Sequence, residues 1–215
     1  MKESIPRIIQ ALFYWPVRLT LTFFTHYRVY GEENLKNIEG AIIFAANHGS
    51  LADGPISGVA LPRNGQWYPK KYFPIRWLAY EGFFRWRFLL IALYVRLNGS
   101  IKIKKEPKGN LPVILSEAVE IVRKGGKIWV YPEGRRSPDG RTKKARRGVA
   151  YLHEVTKAPI VPVGIWGNFD VFSTKTLFRR KYLRVRFGEP LYKLEGETYE
   201  EQAEYVVHKI SELRR

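Results

Sequence analysis

His48 and Asp53 stand five positions apart in Asn47-His48-Gly49-Ser50-Leu51-Ala52-Asp53, directly after the apolar run Ala41-Ile42-Ile43-Phe44-Ala45-Ala46. An imidazole, with an unperturbed pKa of about 6.5, can take the proton of an attacking hydroxyl as a general base. A carboxylate beside it fixes its tautomer and stabilises the imidazolium that forms. A short apolar run bounded by turn residues reads as a buried strand, so His48 sits where a strand ends and the chain turns. At about 100° per residue, a regular helix would put positions five apart on different faces. Pairing them therefore calls for a loop that leads into a helix N-terminus. Ser50-x-x-Asp53 also fits a capping box, in which Asp53 serves only the helix start. Both readings stand on the local sequence.

A second group that could do chemistry is Tyr131-Pro132-Glu133-Gly134-Arg135-Arg136-Ser137. It follows an expected strand, Ile128-Trp129-Val130-Tyr131. Arg135, Arg136, Arg141, Lys143, Lys144, Arg146 and Arg147 crowd the stretch that starts there. Gly134 and Gly140 let backbone amides approach a ligand closely, and arginine forks suit bidentate contact with phosphate. The alternative is a basic surface loop. Glu133 argues for the phosphate loop, since an acid before a basic cluster is expected to orient an arginine.

Composition bounds the setting. A chain of 215 residues favours one domain with a real core. Without cysteine, disulfides, thiolate catalysis and cysteine metal sites are excluded. His26, His48, His153 and His208 are scattered and form no metal-binding spacing. The net charge of +17 calls for an anionic partner: nucleic acid, an acidic membrane surface or a phosphorylated substrate. Trp and Tyr favour the membrane–water interface, which tilts the choice toward a membrane over nucleic acid. No secretory signal is evident, because Pro6, Arg7, Pro16 and Arg18 interrupt the first apolar stretch. The longest clean apolar run, Phe88 to Val95, is too short to span a bilayer. The expectation is a protein that lies on a membrane, peripheral or monotopic, at its cytoplasmic face.

The elements that must position these groups follow in order. Residues 5–27 read as one or two amphipathic helices, suited either to interfacial insertion or to core packing. A helix is expected from about Pro55 to Ala60, with Pro at its start. Residues 66–98 interleave aromatic and basic side chains, among them Tyr72, Phe73, Arg76, Trp77, Arg85, Trp86, Arg87 and Phe88, and form a second candidate membrane face. Ile101 to Lys104 alternates as a strand does. Val113 to Lys124 has helical spacing and stops at Gly125-Gly126. Strands over Pro159–Trp166 and Leu183–Phe187, a helix ending near Val155 and a closing helix over Tyr199–Leu213 complete the chain. Alternating strands and helices predict an α/β fold: a mixed, mostly parallel sheet with helices packed on it, preceded by the N-terminal amphipathic segment. The domain division expected is 1–30 for the membrane-interface segment and 31–215 for the catalytic domain.

In four blocks, in order, the sequence resembles the glycerolipid acyltransferases typified by 1-acylglycerol-3-phosphate acyltransferase. The blocks are Asn47-His48-x-x-x-x-Asp53, Gly99 to Lys105, Pro132 to Ser137, and Ile160-Val161-Pro162-Val163-Gly164. The first and third together are specific; the second and fourth are weak alone. The match spans about residues 40–170. The resemblance implies transfer of an acyl group from an acyl thioester to the hydroxyl of a lysophospholipid, first of all 1-acylglycerol-3-phosphate. It implies His48 as base and Asp53 as its orienter. Asn47, Ser50, Lys104, Lys105, Glu133, Gly134, Arg135 and Arg136 would bind substrate, with Glu133, Gly134 and Arg136 in the acceptor-phosphate and oxyanion region. No cofactor or metal is implied; acyl-CoA or an acyl carrier protein would be the co-substrate. Arg135 replaces the family's usual threonine, and Lys104 or Lys105 its usual arginine. These departures leave the acceptor open among lysophosphatidate, another lysolipid and a different hydroxyl-bearing lipid. The rival class, a basic nucleic-acid-binding protein, leaves the His/Asp turn unexplained.

Overall fold

The longest apolar runs of the chain become its most deeply buried strands. In a computed structural model, residues 3–84, 89–104, 110–137, 143–169, 171 and 180–214 are described. Seven strands form one sheet: β1 (His26–Tyr30), β2 (Ile42–Ala46), β3 (Ile75–Tyr80), β4 (Ile101–Ile103), β5 (Lys127–Val130), β6 (Ile160–Trp166) and β7 (Tyr182–Phe187). Their order is β1-β7-β6-β2-β5-β3-β4. Every neighbouring pair is parallel except β6 with β7. The expected mixed, mostly parallel α/β sheet is therefore the fold.

β2 lies at the centre and is buried along its whole length, as a strand covered on both faces must be. Its side chains divide by parity. Ile42, Phe44 and Ala46 face one core, shared with α1 (Ser4–Phe24) and α2 (Asp53–Ala60). Ile43 and Ala45 face the other. That second core also takes in α5 (Ser116–Arg123), α6 (Gly148–Thr156) and α7 (Tyr199–Glu212). α7 starts at a full capping box, Thr198 with Glu201.

Several expected elements shift. α2 begins at Asp53, so Pro55 is its third residue and not its first. The helix expected over 113–124 is divided into α4 (Leu111–Ile114) and α5, because Leu115 leaves helical geometry. β1 and β3 arise where no strand was read. β3 corrects the view of residues 66–98 as one membrane face: Tyr72, Phe73, Arg76 and Trp77 are buried, and Arg76 donates to the Gly99 carbonyl at 3.0 Å. Arg85, Trp86, Arg87 and Phe88 lie outside the described residues.

α1 is apolar on two opposite sides. Pro6, Gln10, Tyr14 and Leu21 are buried against the sheet. Ile5, Ile8, Leu12, Leu19 and Phe23 are exposed, up to 72% for Phe23. At about 100° per residue these five fall within roughly 60° of one another. Leu89, Leu90 and Leu93 of α3 (Leu89–Leu97) are exposed as well. α3 stands beside α1, where Phe13 meets Tyr94 edge to face at 5.7 Å. Among the described residues, no helix is long and apolar enough to cross a membrane.

A buried amide pins α1 to the sheet. Gln10 Nε2 donates to the Ile75 and Asn98 carbonyls at 2.7 and 3.0 Å, and its Oε1 accepts from the Ile75 amide at 2.9 Å. Gln10→Leu keeps the bulk but strands the Ile75 N–H. A stranded buried donor costs about 1–3 kcal/mol, so the urea midpoint should fall accordingly, with little change in slope. An unchanged midpoint would show that water takes over the amide's role.

Candidate active site

The C-terminal ends of β6, β2 and β5, three adjacent parallel strands, converge on one spot. Ligands in open α/β sheets bind outside the carboxyl ends of the strands. After β2 the chain turns through Asn47, His48, Gly49 and Ser50 and enters α2 at Asp53. This turn achieves what a regular helix cannot: His48 Nδ1 and Asp53 Oδ2 meet at 2.8 Å. The Asp53 side chain is fully buried, and that of His48 is 21% exposed. With Nδ1 held by the carboxylate, the ring's other nitrogen, Nε2, is the one left to exchange a proton with a substrate.

Asp53 does more than serve the helix start. Oδ2 also accepts from the Gly49 and Ser50 amides at 2.7 and 2.9 Å, and Oδ1 from Ser50 Oγ at 3.1 Å. A further donor to Oδ1 comes from beyond β6: Asn168 Nδ2, at 2.8 Å. Asn168 is buried, and its amide packs so close to Gly49 that a Cβ there would sit 2.8 Å from it. Nothing in the local sequence singles out Asn168, which follows the last apolar strand run as one polar residue among many.

Three residues expected to touch substrate are hydrogen-bonded into the framework of the site. Asn47 is buried; its Nδ2 donates to the Ile165 carbonyl at 3.0 Å, and its Oδ1 accepts from the Ile165 amide at 2.7 Å. It therefore fastens β2 to β6. Ser50 Oγ lies between Asp53 and the Ala52 amide, which donates to it at 3.1 Å. Glu133, also buried, accepts from the backbone amides of His48 and Lys143, each at 3.3 Å. It orders two stretches of backbone where an arginine partner was expected. Burial pushes its carboxyl above the usual range, against the opposing pull of those two amides.

The start of the basic loop is nevertheless tied to the His48 backbone. The Ser137 amide donates to the His48 carbonyl at 2.8 Å, and the Arg146 amide to the Pro132 carbonyl at 2.8 Å. Gly134 has φ +66°, and a Cβ there would come within 2.4 Å of the Arg146 side chain, so the turn requires glycine. The Gly134 amide closes its own turn onto the Tyr131 carbonyl at 2.9 Å, which removes it as a donor to substrate. Arg135 and Arg136 are exposed. Lys143 Nζ donates to the Arg136 carbonyl at 2.9 Å, and Arg147 pairs with Glu200 at 3.4 Å. Arg146, one of the seven cations read in this stretch, is brought across Gly134 and joins this end of the site. Lys104 is exposed just past β4, three strands from β2. At about 4.8 Å per strand that is roughly 14 Å. Lys105 and Arg141 lie outside the described residues. Among the described residues, no cluster of His, Asp and Glu could hold a metal ion.

A family model described as Acyltransferase matches residues 26–166, well over half of the chain and every part of the His48–Asp53 site except Asn168. The chain belongs to the acyltransferase family. It is 25% identical over 166 residues to the chloroplastic 1-acyl-sn-glycerol-3-phosphate acyltransferase BAT2 of Brassica napus, a match that takes in 76% of this chain and 44% of the relative. It is 31% identical over 90 residues to the human 1-acyl-sn-glycerol-3-phosphate acyltransferase beta, 41% of this chain and 32% of that one. The chain spans less than half the length of these curated relatives. In fold it is similar to the crystal structure of the 1-acyl-sn-glycerophosphate acyltransferase PlsC from Thermotoga maritima, with a TM-score of 0.68 and 22% identity over 96% of this chain and 77% of the other.

The role of Asn168 can be tested through stability alone. Asn168→Asp would set two buried carboxylates about 2.8 Å apart. Like charges that close cannot both ionise, so the pair must share a proton. The folded variant then binds more protons than its unfolded chain, and its stability falls as pH rises. The variant should be much less stable than wild type at about pH 8 and recover much of the difference by about pH 5. Urea midpoints at both values decide this; a gap independent of pH would mean that the two oxygens do not face each other.

Proposed function

We propose that this protein transfers a fatty acyl group from an acyl thioester to the free hydroxyl of a lysophospholipid, first of all 1-acylglycerol-3-phosphate, giving phosphatidate. The observation that carries the proposal is the 2.8 Å contact between His48 Nδ1 and the buried Asp53 carboxylate. His48 Nε2 takes the acceptor's hydroxyl proton as its oxygen attacks the thioester carbonyl. The carboxylate stabilises the resulting imidazolium. Collapse of the tetrahedral intermediate expels the thiolate, and the proton held on His48 returns to it. The reaction needs no cofactor; acyl-CoA or an acyl carrier protein supplies the thioester. The names of the Brassica and human relatives support this choice of acceptor. Arg135, Arg136 and Arg146, exposed on the loop that follows β5, would meet the acceptor phosphate as arginine forks.

His48→Ala should lower kcat by about 10²–10⁴-fold, the usual worth of a general base, with the fold intact. Transfer of a labelled acyl group to a panel of lysolipids measures it. Near-wild-type turnover in folded protein would sink the mechanism.

The working surface we propose is an anionic membrane, at its cytoplasmic face, with the enzyme bound peripherally or monotopically. Residues 1–30 then form the membrane-interface segment and 31–215 the acyltransferase domain. Support comes from the exposed stripe of α1, the neighbouring leucines of α3 and the net charge of +17. Apolar side chains leaving water contribute roughly 25 cal/mol per Å², and basic residues near anionic lipid add about 1 kcal/mol each. Deleting α1 would remove Gln10, Tyr14 and Leu21 from the core, so point changes on the exposed stripe are the informative variants. Leu12→Glu with Leu19→Glu should release the protein from phosphatidylserine-containing vesicles in sedimentation, while high salt should release the wild type only in part. Binding indifferent to both would count against the surface-bound reading.

A further inference from the structure

Among the described residues the ring of His48 is held by two partners, and the carboxylate is only one of them. The ring of Tyr131, the residue just past β5, lies under the imidazole with a centroid separation of 4.2 Å and an interplanar angle of 14°. Asp53 fixes one edge of the imidazole, and Tyr131 covers one face. Together they restrict both side-chain torsions of His48. The far end of Tyr131 is itself anchored: its hydroxyl faces Ser57 Oγ of α2 at 3.4 Å. Ser57 in turn bonds back to the Asp53 carbonyl. The ring thus reaches the same helix that carries the carboxylate.

The phenol has no proton to trade under working conditions. Burial, and then the nearby Asp53 charge, push it well above the ordinary tyrosine value. What Tyr131 presents to His48 is a neutral aromatic face, whose negative quadrupole attracts a cation held over it. The imidazole becomes that cation only when it accepts the acceptor's proton.

We propose that Tyr131 is a positioning residue for His48: its ring holds the imidazole plane so that Nε2 points at the acceptor hydroxyl, and it favours the imidazolium formed at proton transfer. The proposal rests on His48 acting as base in the reaction given above. The ring, and not the hydroxyl, does the work, because the 3.4 Å hydroxyl contact is long. A displaced catalytic group of this kind costs rate without costing substrate affinity.

Three variants separate the possibilities. Tyr131→Phe keeps the ring and should hold kcat within about threefold of wild type, since only one weak hydrogen bond is lost. Tyr131→Leu removes the ring and should lower kcat on the order of 10–100-fold, with KM for acceptor and donor within about twofold. Tyr131→Met keeps side-chain bulk without a ring and should behave like Tyr131→Leu; it carries the comparison if the leucine variant does not fold. Proton NMR of the His48 ring reads the geometry without reference to activity. The ring protons should be shifted upfield in wild type and Tyr131→Phe and should lose the shift in Tyr131→Leu or Tyr131→Met. Wild-type kcat in a folded ringless variant, an equal loss in Tyr131→Phe, or unshifted ring protons in wild type would each overturn the proposal. Shifted ring protons in a wild-type protein that acylates no lysolipid would instead overturn the reading of the site as a lysophospholipid acyltransferase and leave the stacked geometry standing.

Discussion

A fully buried carboxylate organises this molecule. An ion moved out of water is strongly destabilising unless it is paired and hydrogen-bonded, and Asp53 meets that demand with five donors. Four come from the turn that precedes it: His48 Nδ1, the Gly49 and Ser50 amides and Ser50 Oγ. The fifth, Asn168 Nδ2, comes from the far end of β6. Because Asp53 is also the first residue of α2, its charge lies at the helix's positive end. The turn has this shape because the carboxylate must be satisfied, and the imidazole is held as a member of the same set. Removing any donor disturbs the imidazole as well as the charge.

The other strands of the site are tied to that turn by backbone as much as by side chain. Asn47 exchanges two hydrogen bonds with Ile165 and so holds β6 where Asn168 can reach Asp53. Glu133 and Ser137 clasp the His48 backbone from both sides, one by accepting and one by donating. Buried polar networks are stabilising only when nearly every member is paired. This one spans β2, β5 and β6, and it ties the start of the basic loop, through Glu133 and Ser137, to the His48 backbone.

α1 solves a different problem. Its inward stripe is needed by the core, and Gln10 and Arg18 fasten it to Ile75 and to Val59 of α2. Its outward stripe gains nothing from the core. An apolar surface of that kind on a folded protein marks an interaction face. Interfacial insertion and core packing, the two roles expected of this segment, call on opposite sides of one helix, and the packed side is the one the sheet covers.

Some of this was legible in residue order alone. β2 and β6 are near-continuous apolar runs bounded by turns, which only a strand covered on both faces explains. His48 and Asp53 declare themselves because the whole contact is made within six residues. β1 and β3 stay hidden: His26 to Tyr30 mixes polar and aromatic residues at a sheet edge, and Ile75 to Tyr80 lies within an aromatic and basic stretch whose surroundings mask its burial. The family resemblance implied that Asn47, Ser50 and Glu133 bind substrate; in the fold their side chains hydrogen-bond to the protein's own backbone and to Asp53. Chain order determined the groups available: an imidazole, a carboxylate five positions on and a cation-rich loop. Tertiary structure alone decided which groups meet. Asn168, Asn47 and Tyr131 act across 83 to 118 positions of sequence through the side-by-side alignment of three parallel strands. No local pattern encodes that register, because it is set by burying both faces of β2 at once.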